Sequence, residues 1–380
     1  MIFIYSETDN GVWAGSPWQF ILRFIQSTLD WQSVNDMKKS LLLAGCVALI
    51  GQSVFAWDYE GHRLVNQLAL ASLPKDFPAF AVTPEARERI AFLAGEPDRW
   101  RNSPENSFKH ASGPDHYFDL EDLALYDLKP AMLAPFRYDF MAQIAQARTA
   151  HPEKFAAIDA AKDADHTRAL SGFLPWTMSE CYSKLKSEFS YLKTFETAGG
   201  TPAEIANAQA NIVYTMGVMG HYYGDAAQPL HTTMYFNGWV GANPNHYGTN
   251  HSIHSWIDGG FILKTHIADD LGAMEKKMRT AQAVTLNGQP ASGEQVFSAM
   301  VSFIVEQNKL VETVYQMDRD HQFSGEGEAG LLGKPLIEGQ LMKAGQLLGD
   351  VWFSAWQQAA PDDFLAKQLR RRSETPKADK

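Results

Sequence analysis

One continuous stretch, residues 204–231, constrains the fold more than any other part of the sequence: EIANAQANIVYTMGVMGHYYGDAAQPLH. Its apolar residues recur at spacings of seven, four, three and four, which is the stripe of a buried helix face and not the alternation of a strand. The stripe consists of Ile205, Ile212, Met216, Met219 and Tyr223. The spacing therefore predicts a long helix in the interior of a helical protein.

Two polar side chains interrupt this apolar helix and lie on one face of it. His221 and Asp225 stand four positions apart, about one helical turn, so both can reach a single ion. His231 follows just after Pro229 and adds a second imidazole. Two imidazoles and a carboxylate are ligands that zinc favours. A core helix with a hydrogen-bonded His–Asp pair explains His221 and Asp225 equally well.

Histidines elsewhere in the chain also stand close to aspartates. The chain has 12 histidines, and four short stretches combine the two residue types: 57–62, 113–122, 221–231 and 249–258. In the last of these, His254 and Asp258 repeat the four-residue offset of the first pair. Together the four stretches supply more nitrogen and carboxylate ligands than one ion needs, which favours a site for several metal ions.

Residues 37–56 read as a targeting sequence, whereas residues 1–36 show no sustained period. Met37-Lys38-Lys39 is a basic segment, residues 41–50 are apolar, and Ser53-Val54-Phe55-Ala56 is a small-residue cleavage site. This pattern predicts a signal peptide over 37–56, a true start at Met37, and residues 1–36 as upstream sequence wrongly included. Cleavage after Ala56 would make Trp57 the first residue of a periplasmic or secreted protein.

Cysteines are sparse. Leu43-Ala44-Gly45-Cys46 also fits a lipoprotein box, which leaves lipid attachment as an alternative to cleavage after Ala56. After that cleavage only Cys181 remains, so no intramolecular disulfide can form and the core, or a metal, has to hold the fold. Cys181 falls on a predicted core helix, and we interpret it as structural.

The rest of the sequence predicts helix after helix, with few strands. Helices are predicted over 60–73, 84–93, 136–149, 166–195, 296–317 and 336–358, and loops over 95–118, 232–253 and 318–334. No repeat or linker divides them, so we expect one all-α domain over 57–370 and a frayed basic tail over 371–380. No apolar run of about 18 residues follows the signal segment, so no transmembrane span is expected. The net charge of −11 argues against a basic groove that tracks nucleic acid.

Taken in order, these motifs resemble those of a known family. Trp57 with His62 five residues on, an isolated Asp, a His-aromatic-x-Asp stretch, His-x-x-x-Asp-x-x-x-x-x-His and a final His-x-x-x-Asp are similar to the phospholipase C/nuclease superfamily of zinc phosphodiesterases. Within it the chain most resembles the single-strand-specific endonucleases of the S-one/P-one type. The match spans Trp57 to Asp258 in family order. It implies the family's all-α fold around a trinuclear zinc cluster.

The resemblance also implies which residues hold three zinc ions. One ion would be held by Asp98, His116, His221 and Asp225, and a second by His231, His254 and Asp258. The third would be held by the amino nitrogen and carbonyl oxygen of Trp57, by His62, and by Asp225 as a bridge. An α-amine can coordinate only if it is a free N-terminus, so cleavage after Ala56 would be a step in building the site.

Two further residues match positions of the family that take part in the reaction. Asp98 is the expected metal-bound acid, although Gly95-Glu96-Pro97-Asp98 stands where the family usually has Trp-Ala-Asp, so Glu96 is a rival ligand. Arg101 matches the arginine beside the attacked phosphate, and a guanidinium suits bidentate phosphate binding. Zinc would activate a water molecule for attack on phosphorus, so no protein nucleophile is expected.

The expected substrate is single-stranded nucleic acid or a nucleotide, cleaved to 5′-nucleotides. Tyr117 matches the family's base-stacking aromatic residue and Asp119 its base-contacting acid. Stacking on an aromatic ring tolerates any base and suits single strands. No protein partner is predicted.

Two alternatives stay open. The segments HYYGDAAQPLH and WIDGGFI and the loop Trp239-Val240-Gly241 are also similar to bacterial zinc phospholipases C, whose substrate would be a phosphatidylcholine-type lipid. The steps from Trp57 to His62 and from His231 to His254, and the final ligand Asp258, favour the nuclease branch. The second alternative is a non-enzymatic, metal-containing binding module.

Overall fold

Helices dominate the computed structural model, which describes residues 59–374, all of them within one compact unit. Among these residues the only sheet is a hairpin of two-residue strands, β1 (Thr285–Leu286) and β2 (Gln289–Pro290), paired antiparallel. The expected all-α fold is therefore confirmed for the described part of the chain. The predicted upstream segment 1–36, the signal peptide 37–56 and the ligand Trp57 lie outside it.

The described residues form fifteen α-helices. They are α1 (Tyr59–Ser72), α2 (Pro84–Leu93), α3 (Glu96–Arg101), α4 (Asn106–Ser112), α5 (Arg137–Ala150), α6 (Leu174–Ala198), α7 (Pro202–Ala227), α8 (Ile253–Ser255), α9 (Phe261–Lys264), α10 (Leu271–Glu275), α11 (Glu294–Asn308), α12 (Val311–Arg319), α13 (Gly327–Gly330), α14 (Lys334–Gln358) and α15 (Asp363–Glu374). A π-helical segment, Trp256–Gly260, joins α8 to α9. Tight 3₁₀ turns form at Ala79–Val82, Gly113–His116, Leu120–Tyr126, Pro130–Met132, Pro152–Lys154, Ala160–Lys162, Pro229–Thr232 and Ile267–Asp270.

Helix α7 is the centre of the molecule and contacts α1, α2, α6, α11 and α14. Four members of its predicted apolar stripe are fully buried, and the fifth, Ile205, is half-buried near the start of the helix. The start is fixed by a capping box: the Thr201 hydroxyl accepts from the Glu204 backbone N–H, and the Glu204 carboxylate accepts from that of Thr201. The long helix predicted from the 3.6-residue spacing is confirmed.

Two glycines let α7 approach its neighbours closely. A Cβ on Gly220 would lie 1.6 Å from Asn66 Oδ1 on α1, and one on Gly217 would lie 2.5 Å from Leu93 Cβ on α2. In the space that the glycines leave, the Asn66 amide donates to the carbonyls of Ile90 and Gly217 at 2.8 and 3.0 Å. This crossing places the second half of α7 between α1 and α2.

The stretch 95–118 is not the loop that its glycine and proline content predicts. It forms α3, α4 and the turn Gly113–His116. Pro97 lies in the first turn of α3 and Pro114 in that of the 3₁₀ turn. Proline is favourable at the start of a helix because its fixed φ is already helical and the missing N–H has no partner to lose. The prolines therefore begin short helices here.

The helix predicted over 166–195 begins only at Leu174. His166 and Gly172 have φ values of 56° and 91°, which a right-handed helix excludes, and Pro175 falls in the first turn of α6. Similarly, the helix predicted over 296–317 is split into α11 and α12, and at the end of α11 the Asn308 amide donates to the Thr232 carbonyl at 2.9 Å.

Two other expectations about loops and tails were partly wrong. The loop 318–334 contains the short helix α13, and α15 continues to Glu374, so the first four residues of the expected frayed tail are helical. Arg372 explains the order there, because its guanidinium donates to the Glu204 carboxylate at 2.7 Å and to the Gly199 carbonyl at 3.1 Å. Among the described residues, no helix combines the length and apolar character needed to cross a membrane.

Candidate metal centre

Eight of the nine predicted ligands converge on one buried region. His62 lies on α1, Asp98 on α3, His116 at the end of a 3₁₀ turn, His221 and Asp225 on α7, His231 on the turn after α7, and His254 and Asp258 on α8 and the π segment. Seven of them are at most 3% exposed, and His254 is half-buried with 12% of its side chain exposed. The ninth predicted ligand, Trp57, lies outside the described residues.

Three groups of these side chains could each hold a cation. They are His62, His221 and Asp225; Asp98, His116 and His221; and His231, His254 and Asp258. Within each group the donor atoms all lie within 4.8 Å of one another. The group of His231, His254 and Asp258 has the members of one ion site that the resemblance implies. In the other two groups His221 is the shared residue and Asp225 occurs once, whereas the resemblance implies that Asp225 is shared.

Asp225 joins the groups. Its Oδ2 lies 3.1 Å from His116 Nδ1 and 3.3 Å from His221 Nε2. Its Oδ1 lies 3.6 Å from both His62 Nε2 and His231 Nδ1. A carboxylate with each oxygen facing two imidazole nitrogens has the geometry of a bridging ligand.

The donor set fits metal ions and fits hydrogen bonding poorly. His116 Nδ1 faces His221 Nε2 at 2.9 Å, and His231 Nε2 faces His254 Nε2 at 3.0 Å. Buried polar atoms nearly always have hydrogen-bond partners. Here four donor atoms have none among the described residues: both nitrogens of His62, His116 Nε2 and Asp225 Oδ1. Cations would satisfy the facing nitrogens and carboxylate oxygens together, so the residues present fit the zinc that the resemblance implies.

Backbone carbonyls fix the orientation of two of the imidazoles. His221 Nδ1 lies 2.8 Å from the Ala94 carbonyl, and His231 Nδ1 lies 2.7 Å from the His116 carbonyl. A carbonyl can only accept, so each Nδ1 carries the proton and each Nε2 is left as the lone-pair donor. Such second contacts commonly orient metal-binding histidines.

Burial sets the protonation of the centre. It lowers the pKa of His62, His116 and His221, and the neighbouring positive groups, His221 for His62 and Arg101 for the other two, lower it further. These imidazoles are therefore neutral, which is the state that binds metal. Burial raises the pKa of Asp225, so its carboxylate needs a nearby cation to stay ionised in this site.

Asp258 differs from Asp225. Burial alone would raise the pKa of Asp258, but the neighbouring imidazoles of His254 and His231 lower it below its usual value. His254 Nε2 lies 2.7 Å from Asp258 Oδ2. The pair is the least enclosed part of the centre, since His254 is its most exposed member.

A π-helical segment brings His254 and Asp258 together. Asp258 lies within Trp256–Gly260, and His254 lies two residues before that segment. A π turn has more residues per turn than an α-helix, so side chains four apart lie nearly above one another. Gly260 makes the turn possible, because a Cβ there would lie 2.4 Å from Trp256 Cε3.

On α3, the structure brings Asp98 and not Glu96 to the centre. Asp98 is 3% exposed and its Oδ1 lies 3.7 Å from His221 Nε2. Glu96 instead pairs with Arg99 at the surface. Arg101 contacts the centre through Asp98, with Nε 2.7 Å from Asp98 Oδ1, and its side chain is 21% exposed.

Tyr117 directly follows His116 and Asp119 stands two residues further on; both are half-buried. The Tyr117 hydroxyl donates to the Leu170 carbonyl at 3.3 Å, and the Asp119 backbone N–H donates to the Ser171 carbonyl at 2.8 Å. Burial, with the charge of Asp122, raises the pKa of the Asp119 carboxyl. Their roles in substrate binding stay predictions.

Gln228 is a contributor that sequence reasoning missed. It is fully buried between α7 and the turn that carries His231, where its amide nitrogen donates to Asp258 Oδ1 and its oxygen accepts from the Leu230 N–H. One side chain thus links the Asp258 carboxylate to the backbone beside His231. The only signal was its place in the run Gln-Pro-Leu-His, which reads as a turn.

Fold and site together define a helical protein with a buried, thiolate-free His/Asp centre able to hold several metal ions. Comparison with protein-family models, with curated proteins and with solved structures gave no match.

Proposed function

We propose that the protein is a zinc-dependent phosphodiesterase that hydrolyses single-stranded nucleic acid to 5′-nucleotides. The observation that carries this proposal is the donor set: eight His and Asp side chains, none of them a thiolate, with the Asp225 carboxylate close to His62 of one group and His116 of another. Structural zinc sites are usually closed four-ligand cages, often rich in cysteine. A shared carboxylate and a partly exposed His254 instead suit a centre that admits a reactant.

Some residues of the chain would bind the metal ions, and others would orient these ligands. His62, Asp98, His116, His221, Asp225, His231, His254 and Asp258 would hold the ions, with Trp57 as the further ligand that the resemblance implies. When bound, zinc supplies Lewis acidity and an activated water molecule, as in other zinc hydrolases. Gln228 and the carbonyls of Ala94 and His116 keep the ligands in place and the imidazoles in one tautomer.

Arg101 is the residue suited to the phosphate. Its Nε is held by Asp98 at 2.7 Å, which fixes the guanidinium next to the centre. Its two terminal nitrogens make no hydrogen bond to the described residues, and its side chain is 21% exposed. A planar fork of donors can bind two phosphate oxygens and stabilise charge on them as the P–O bond breaks.

A protein nucleophile is not needed in this proposal, and the described residues supply a poor thiol candidate. Cys181 is buried on α6, and burial raises the pKa of its thiol to about 12. A thiol that stays protonated is unreactive. This supports the interpretation of Cys181 as structural.

One measurement tests the metal content and a second tests the reaction. Elemental analysis of the purified protein should find zinc, about three ions per chain; a metal-free protein would exclude the proposal and favour a binding module. Single-stranded DNA should then be degraded to 5′-mononucleotides, while phosphatidylcholine vesicles release no diacylglycerol. The reverse result would identify a phospholipase C.

The phospholipase alternative has one observation in its favour. The loop after His231 carries exposed apolar side chains: Met234, Phe236 and Val240 are 39%, 49% and 41% exposed. The Phe236 ring meets the His254 ring edge-on, with centroids 5.7 Å apart. Apolar side chains beside the open edge of the centre would suit a lipid surface. Phe236→Ala should lower vesicle hydrolysis at least tenfold if lipid is the substrate.

A further inference from the structure

A cavity of about 280 Å³ lies between α3, α4, α6 and α7, next to the metal centre and separate from it. Trp100, which lines it, stands between Asp98 and Arg101 on α3. Tyr222 lines it from α7, and the Tyr222 ring packs against the imidazoles of His116 and His221, each at a centroid distance of 5.6 Å. Nothing in the proposed hydrolysis uses this cavity.

Aromatic side chains from three helices surround the cavity. Trp100 comes from α3, Phe108 from α4 and Tyr214 from α7. Phe108 and Tyr214 are 43% and 44% exposed, so they stand at the entrance and present ring surface to solvent. Exposed aromatic surface on several sides of one small cavity favours a flat, aromatic ligand.

A tyrosine with no hydrogen-bond partner for its hydroxyl among the described residues also lines the cavity. Tyr222 is only 4% exposed, and its hydroxyl makes no hydrogen bond to any described residue. Tyrosine hydroxyls in mostly buried rings usually make a hydrogen bond. A ligand that accepts a hydrogen bond would supply that partner.

The charges around the cavity cancel. The carboxylates of Asp115 and Glu180 line it, and Arg137 donates to them at 2.7 and 2.8 Å. Lys184, also in the lining, is the second cation. Two negative and two positive side chains leave no net charge to attract an ionic ligand, so a neutral molecule fits best.

We propose that this cavity binds a neutral, planar compound of one or two fused aromatic rings that presents a hydrogen-bond acceptor to the Tyr222 hydroxyl. Trp100 and Tyr214 contact the ring, and Tyr222 selects the acceptor. Because Tyr222 also packs against His116 and His221, the ligand sits one side chain away from the metal centre.

Coumarin is a suitable probe, since it is neutral, planar and carries a lactone carbonyl. Two matched compounds separate the contributions: indole has fused rings and no carbonyl acceptor, and δ-valerolactone has the lactone and no aromatic ring. Calorimetric titration and saturation-transfer NMR on the whole protein should show binding of coumarin, at least tenfold weaker binding of indole, and none of δ-valerolactone. No binding of coumarin at millimolar concentration would overturn the proposal.

Variants locate the site and test the hydrogen bond. Tyr222→Phe keeps the ring that packs on the imidazoles and removes the hydroxyl, so coumarin affinity should fall by about three- to tenfold, the value of one hydrogen bond. Tyr214→Ala, at the exposed entrance, should weaken it further. Phe364→Ala is the matched control, since Phe364 is an aromatic residue 71% exposed on α15. The affinity of this variant for coumarin should equal that of the wild type.

Two outcomes would contradict the proposal even if coumarin binds. Equal affinity in Tyr214→Ala and in the Phe364→Ala control would place the ligand elsewhere. Equal affinity in Tyr222→Phe and wild type, with indole as tight as coumarin, would exclude recognition of an acceptor. Circular dichroism of each variant shows that a lost signal does not come from loss of the fold.

Discussion

Asp225 carries more of the candidate centre than any other single residue. It is fully buried, and its two oxygens face four imidazoles on four different segments of the chain. Burial raises the pKa of Asp225, so without a cation the protonated, neutral form of its carboxyl group is favoured. Replacing it should therefore affect more than one of the three ligand groups.

Asp225→Asn should lower phosphodiesterase activity by more than about a hundredfold, beyond the loss seen when a supporting residue of a metal ligand is changed. It should also lose more bound zinc than Asp98→Asn or Asp258→Asn, as measured by elemental analysis. Glu188→Gln, a change at a half-buried carboxylate outside the centre, is the control and should keep the activity and the zinc content of the wild type. Equal zinc content in Asp225→Asn and wild type would show that Asp225 is not a bridging ligand.

At this scale the sequence predicted most of what the structure brings together. The offset of four in two His–Asp pairs is visible in the chain because helical geometry maps spacing onto one face. The choice between Asp98 and Glu96 as the ligand is not visible in the sequence. Both lie in the first turn of α3, and only the packing decides which one is buried. Gln228 was missed because no local pattern distinguishes an amide that supports a ligand from one in a turn.

Among the elements, α7 depends most on small residues. Gly220 lies next to His221 and against Asn66 of α1, whose side chain it would meet at 1.6 Å if it carried a Cβ. Asn66 cannot yield easily, because its amide holds the carbonyls of Ile90 and Gly217. The crossing of α1 and α7 therefore fixes the distance between His62 and His221, whose rings stack at a centroid distance of 3.7 Å.

Gly220→Ala should destabilise the protein by about 2–4 kcal/mol, since the extra carbon forces the two helices apart or breaks the Asn66 hydrogen bonds. Gly339→Ala is the matched control: it lies inside α14 with open space around its Cα, so the same change should stabilise by about 0.5–1 kcal/mol. Urea unfolding followed by circular dichroism measures both. A Gly220→Ala variant with the same free energy of unfolding as the wild type would show that α1 and α7 can accommodate the added Cβ.

The α6–α7 interface contains a carboxyl that titrates near neutrality. Thr215 on α7 donates to Glu188 Oε1 on α6 at 2.7 Å, while Oε2 is buried and has no hydrogen-bond partner among residues 59–374. Burial raises the pKa of Glu188 to about 7 from its ordinary 4.5. Between these pH values the folded protein keeps a proton that the unfolded chain has released, so the contribution of Glu188 to stability falls as pH rises.

Glu188→Gln should remove this pH dependence, because glutamine has the shape of the protonated acid and keeps the bond to Thr215. We expect equal stability of variant and wild type near pH 4.5 and a more stable variant at pH 8, measured by urea unfolding across that range. The exposed Glu328→Gln serves as control and should follow the wild type. Parallel curves for Glu188→Gln and wild type would show that Glu188 ionises normally.

Element types were predicted better than element boundaries. The apolar spacing in 204–231 and 336–358 gave long helices that the structure confirms as α7 and α14. The start of α6 and the break between α11 and α12 were missed, because local propensity does not show where tertiary contacts turn the chain. The π segment was invisible for the same reason: its extra residue is stabilised by the packing of Trp256 against Gly260.

For the molecule as a whole, the centre adds stability only when cations are present. Asp98, Asp225 and Asp258 are three carboxylates in one buried region, and Asp225 Oδ1 has no hydrogen-bond partner among the described residues. Metal that binds the folded state and not the unfolded chain stabilises the fold by mass action. Chelation removes that stabilisation and leaves the buried carboxylates uncompensated.

Treatment with a strong chelator should lower the midpoint of thermal unfolding by at least about 5 °C, a change of roughly 3 kcal/mol for a domain of this size. Zinc should restore the midpoint, and magnesium should not, because imidazole nitrogens suit zinc and magnesium prefers oxygen. The helical signal at low temperature should persist, since the apolar core does not depend on the centre. An unchanged midpoint after verified removal of metal would contradict a stabilising centre.

The spread of the ligands along the chain also governs when the centre can form during folding. His62 and Asp258 are 196 positions apart, and the other ligands are distributed between them. Contacts between such distant positions close late, because the chain must first lose the entropy of a long loop. During synthesis, the first ligands emerge long before their partners. The complete set of ligands therefore forms only after the helices have packed together. The rate of zinc uptake by the refolding chain should then equal the rate of the slowest folding step.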